Sequence, residues 1–93
     1  MKVINLHKEK YDVYIGRGSM FGNPYPLTHS NTRKIVIDLY REWFYNQLKY
    51  PEFKAAVEKL RDVDTLGCYC KPLPCHGDII VEYLENTSPE VKE

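Results

Sequence analysis

Two helical patterns in succession separate the second strand-like segment of this chain from the third, and that order limits the folds open to it. Val3 to Leu6 leans apolar and reads as a first strand. Tyr11 to Ile15 alternates, with Tyr11, Val13 and Ile15 on one face, and predicts a second. Asn31 to Tyr50 then shows helical spacing of Val36, Leu39, Tyr40, Trp43 and Leu48, widened by Ile35, Ile37 and Phe44. Ser30, Asn31 and Thr32 are all competent N-caps for it. Pro51 suits the first position of another helix, whose apolar face holds Phe53, Ala56, Val57 and Leu60. After a turn at Asp62 to Thr65, Leu66 to Cys70 predicts a buried strand, and a last helix starts at Gly77 or Asp78. Strands interrupted by long helical connections favour an α/β layer, a small single-domain sheet with helices packed on it in the order β-β-α-α-β-α. The domain is expected over residues 1–86, with 87–93 a polar tail.

The chain's 93 residues allow one modest core. Its 13 basic and 13 acidic residues cancel, which argues against a nucleic-acid binder working by bulk charge. No run approaches the roughly 20 apolar residues of a membrane span, and the N-terminus lacks a signal-peptide core. A cytoplasmic location is the expectation. Cys68, Cys70 and Cys75 are odd in number and crowded into eight residues, a poor basis for a disulfide framework, and are read as reduced thiols.

Two segments carry the chemistry. Gly16-Arg17-Gly18-Ser19 follows a strand pattern and matches neither a dinucleotide fingerprint nor a Walker loop. Its glycines allow close backbone approach, Arg17 can grip a phosphate or carboxylate, and Ser19 adds a hydroxyl. A plain turn with a solvated arginine is the competing account. In Phe21-Gly22-Asn23-Pro24, Phe21 is either a stacking ring or a core residue, and Asn23 either reads a ligand or bonds its own backbone.

The second segment runs from Cys68 to Asp78. Three accounts compete. Cys68, Cys70, Cys75 and His76 could hold zinc, although the spacing is unlike paired knuckles and Cys75 and His76 are adjacent. Cys75 could be a nucleophile with His76 or Asp78 handling protons. The favoured account is a non-covalent pocket, shaped by Cys75, His76 and Asp78 at a helix start, with no cofactor. Asp78 also has a simple alternative as an N-cap.

Taken together, Tyr11 to Ser19, Phe21 to Pro24 and Cys68 to Asp78 resemble the signature of the family called domain of unknown function 4326, over roughly Val3 to Leu84. That family is small, bacterial and frequent in bacteriophage genomes. It often has tryptophan where this chain has Phe21 and Tyr69, and both replacements keep a ring. The resemblance implies that the Arg-Gly-Ser and Cys-His-Gly-Asp segments belong to one signature. Each follows a strand, so both are expected at one sheet edge, where such folds place ligands. The expected ligand is a phosphate-bearing nucleotide or derivative. Arg17, the N–H groups of Gly18 and Ser19, and the last helix start at Gly77 would hold phosphate. Phe21 or Tyr69 would contact the base, and Asn23 or Asp78 a ribose or base edge. The expected role is a phage protein that sequesters an immune nucleotide signal, a homo-oligomer joined through the long helix. The alternatives are an enzyme acting on a nucleotide or glycosidic bond, and a zinc-stabilised interaction module.

Overall fold

A computed structural model describes residues 1–8, 10–25, 28, 32–69, 71 and 73–87. The element order is β1 (Lys2–Asn5), β2 (Val13–Tyr14), α1 (Arg33–Gln47), α2 (Pro51–Lys59), a single 3-10 turn (Leu60–Asp62), β3 (Thr65–Cys68) and α3 (Gly77–Asn86). The α/β class and the order β-β-α-α-β-α stand as the sequence predicts. Thr32 caps α1 and Pro51 opens α2. Ser30 and Asn31, the other N-cap candidates, lie outside the described residues, as do Cys70 and the tail 88–93.

The sheet is parallel with strand order β1-β3-β2, so the last strand in sequence is the central one. Val3 and Val13 both stand in register with Leu66. Successive side chains on a strand point to opposite faces. Leu66 and Cys68 therefore share one face, and both are buried in the cluster that holds Tyr40 and Phe44 of α1, Phe53 and Val57 of α2, and Ile80 and Leu84 of α3.

The other face carries Thr65 and Gly67, and the β1–β2 crossover lies over it. A Cβ on Gly67 would stand 2.6 Å from Cγ of Tyr11, so only glycine leaves room for that ring. Asp12 pins the crossover: its Oδ2 accepts the N–H groups of Asp64 at 3.0 Å and Thr65 at 3.1 Å. Tyr11 thus departs from the predicted alternation. The strand proper starts at Val13, and the preceding bend turns Tyr11 onto the face opposite Ile15.

The long helix turns its apolar stripe inward. Val36, Tyr40 and Phe44, spaced by four, are buried in the chain's own core, and Phe44 meets Tyr40, Phe53 and Tyr83. Phe44 is central to the stripe rather than a widening of it. Ile35 and Tyr45 remain exposed. Among the described residues, no helix is long and apolar enough to cross a membrane.

Candidate functional site

Parallel strands deliver their C-terminal ends, and the loops that follow, to one edge. Here β2 leads into Ile15-Gly16-Arg17 and β3 into Tyr69, while the loop before α3 brings Pro74, Cys75 and His76 to the same place. Gly16, Arg17, Cys68, Tyr69, Pro74, Cys75 and His76 line a cleft of about 180 Å³ with Asn23, Tyr25 and the first turns of α1.

A buried histidine ties the two loops together. His76 Nε2 lies 2.6 Å from the carbonyl oxygen of Ile15, so Nε2–H donates across the gap. Nδ1 is then the unprotonated nitrogen, 3.5 Å from Cys75 Sγ. Burial lowers the His76 pKa; the Ile15 bond and nearby Asp78 act against that, while Arg17 adds to it. The ring is neutral at pH 7. Folding therefore disfavours its proton, and stability contributed by neutral His76 is full above the unfolded value of about 6.5 and is lost as pH falls below it. Urea unfolding at pH 7.5 and pH 5.5 should show that loss, and His76→Gln should reduce the difference between the two pH values.

The glycine-rich segment is a built turn. Gly18 has φ of +91°, the conformation a type II turn requires at its third residue. Ser19 N–H donates to the Gly16 carbonyl at 3.1 Å, and Ser19 Oγ donates to the same oxygen at 2.7 Å. The Tyr14 hydroxyl donates to the Arg17 carbonyl at 2.8 Å. The turn holds the Arg17 backbone while its guanidinium makes no hydrogen bond or ion pair to a described residue.

Of the expected ligand residues, the structure brings Arg17, Asn23, Tyr69, Cys75 and His76 to the cleft. Tyr69 is 57% exposed, with its ring edge-on to Tyr14. Asn23 reaches the cleft while bonding backbone on both sides: Nδ2 donates to the Val36 carbonyl, and Oδ1 accepts the Tyr25 N–H. Gly18, Ser19, Phe21, Gly77 and Asp78 do not line it. Ser19 has its N–H and hydroxyl engaged in the turn. Phe21 is only 8% exposed and packs against Phe53, so the core account of that ring is the right one. Gly77 sits under Ile15, where a Cβ would meet Ile15 Cδ1 at 2.6 Å.

Asp78 braces the loop from behind. Its Oδ2 accepts the Cys75 N–H at 3.1 Å, and its Oδ1 pairs with Lys71 at 2.6 Å. The start of α3 is likewise occupied: the N–H groups of Gly77, Asp78 and Ile79 donate to Cys75 Sγ, the Cys75 carbonyl and the His76 carbonyl. The helix start thus satisfies itself, and any anion in the cleft falls to side chains. Cys68 and Cys75 face each other, Sγ to Sγ at 3.1 Å. Cys70 lies outside the described residues, and among the described ones no three His, Cys, Asp or Glu side chains converge as metal ligands.

Arg33 is the residue the sequence reading missed. As the first residue of α1, it lies in the cleft wall and donates to the Pro74 carbonyl at 3.2 Å. Tyr25, Val36, Ile37 and Pro74 complete the lining. No carboxylate stands among the described lining residues. In a chain of zero net charge, this hollow carries two arginines and, among the described residues, no opposing acid.

The family described as "Domain of unknown function (DUF4326)" matches residues 3–86. An Enterobacteria phage T4 protein described as "Uncharacterized 12.4 kDa protein in nrdA-td intergenic region" is 44% identical over 80 residues, covering 85% of this chain and 72% of that protein. No solved structure matches.

Proposed function

The chain belongs to the DUF4326 family, and from that footing we propose that it is a binding protein for a phosphate-bearing nucleotide or nucleotide derivative. The observation that carries this reading is the cleft at the C-terminal edge of the sheet, with Arg17 and Arg33 in its wall and no described carboxylate facing them. Guanidinium groups grip phosphate oxygens through paired, charge-assisted hydrogen bonds. Tyr69 offers an exposed ring, and Val36, Ile37 and Pro74 supply apolar lining for a base or sugar. Asn23, oriented by its two backbone bonds, supplies a polar edge through its remaining Nδ2–H and Oδ1 lone pair. An apolar pocket with a few placed polar groups is the usual form of a small-molecule site.

Binding is favoured over turnover by the state of the reactive groups. Cys75 is 1% exposed and in contact with Cys68, and Asp78 is engaged by Lys71 and the Cys75 N–H. To act on a substrate as large as a nucleotide, a nucleophile and its acid/base partner need open approach to the reacting atom, which these groups lack. The related phage protein supports a phage setting, in which sequestering an immune nucleotide signal, of cyclic or ADP-ribose type, is the role such a binder would fill.

The test is thermal unfolding with a panel of mononucleotides, cyclic mono- and dinucleotides, ADP-ribose and inorganic phosphate. A true ligand at a hundred times its Kd should raise the midpoint by about 10 °C or more. It should be recovered chemically intact after denaturation. A panel with no stabilising member removes the reading, and recovery of a converted ligand replaces it with an enzyme.

A further inference from the structure

The cleft floor holds two sulfurs that ligand binding does not explain. Cys68 ends β3 and Cys75 precedes α3, and each is 1% exposed. Their Sγ atoms are 3.1 Å apart, about 1 Å from the separation of a disulfide bond. Both line the cleft, which is the route by which a small solute reaches them. Cys75 Sγ also has two polar neighbours. Gly77 N–H donates to its Sγ at 3.4 Å, and the unprotonated Nδ1 of His76 stands 3.5 Å away to take the thiol proton.

We propose that Cys68 and Cys75 form a reversible disulfide in the cleft floor, with a hydroperoxide as the oxidant. The Cys75 thiolate attacks one peroxide oxygen; the S–O bond forms, the O–O bond breaks, and the departing hydroxide takes up the thiol proton to leave as water. Cys75 is then a sulfenic acid. The Cys68 sulfur attacks Cys75 sulfur; the S–S bond forms, the S–O bond breaks, and hydroxide leaves as water with the Cys68 proton. Two thiols and one hydrogen peroxide give one disulfide and two waters. The bond closes the segment that carries Tyr69 and Pro74, so oxidation fixes one wall of the cleft.

The experiment needs no nucleotide, so its outcome is separate from that of the ligand panel. Reduced protein is exposed to a slight excess of hydrogen peroxide, and intact mass is followed. The expected result is a loss of about 2 Da, the two thiol hydrogens, reversed by dithiothreitol. Cys70→Ser should keep the loss; Cys68→Ser and Cys75→Ser should abolish it. Where a serine variant fails to fold, non-reduced fragmentation of the wild-type chain identifies the bonded pair. Gain of oxygen without loss of hydrogen, or a bond to Cys70 in place of Cys68 or Cys75, overturns the proposal.

Discussion

Alanine at both Arg17 and Arg33 is expected to weaken binding of a nucleotide phosphate roughly hundredfold or more, while thermal stability stays close to that of the wild type. A hydrogen bond to a charged group contributes about 1.5–3 kcal/mol, and every 1.4 kcal/mol is tenfold in Kd. Two such contacts removed together come to about 3 kcal/mol at the least. The stability of the fold is insulated because, among the described residues, Arg17 has no hydrogen-bond partner and Arg33 has one exposed hydrogen bond, to the Pro74 carbonyl. Titration calorimetry of both single variants and the double variant checks the claim. Arg17→Lys should restore only part of the affinity, since an ammonium cannot make the planar two-pronged contact. Unchanged affinity in the double variant would place the ligand elsewhere on the molecule.

The largest loss of stability is expected at Tyr40. It is fully buried, its ring meets Trp43, Phe44 and His76, and its hydroxyl donates to the Phe21 carbonyl at 2.7 Å. Burial raises its pKa well above the ordinary tyrosine value, so the hydroxyl stays protonated and remains a donor. Tyr40→Ala should cost about 3–5 kcal/mol, the range for removing a buried aromatic ring. Against a typical domain stability of about 5–15 kcal/mol, that leaves a marginal protein. Tyr40→Phe keeps the ring and removes the bond, leaving the Phe21 carbonyl without its donor, at about 1–3 kcal/mol. Urea unfolding of the two variants separates ring from hydroxyl. Equal losses would show that the bond, not the packing, holds the Phe21 loop.

The helices and β3 were legible because their signals are local. Pro51 suits only a helix start, Thr32 offers an oxygen to Ile35 N–H, and Leu66 to Cys68 is an apolar run short enough for a strand. The convergence of Arg17 with His76 was legible because each follows a strand, and parallel strands deliver such loops to one edge. What the sequence hid were tertiary choices. Phe21, between glycine and methionine, has no local mark of burial; Phe53, more than thirty residues on, decides it. Arg33 looks like an ordinary solvated helix residue until the start of α1 is set against Pro74. Ser19 and Asp78 looked like ligand groups, but short polar side chains near unsatisfied backbone often bond locally first, and both do.

The central place of β3 bears on how the chain acquires its structure. β1 and β2 are neighbours in sequence but not in the sheet; each reaches its partner only through Thr65–Cys68. On an emerging chain, neither early strand has anything to pair with for some fifty residues, while α1 and α2 can already coil from local contacts alone. The expected order of assembly is helices first, then both ladders nearly at once when the late segment slots between them. The cleft, bounded by loops that only that insertion brings together, is expected among the last parts of the molecule to form.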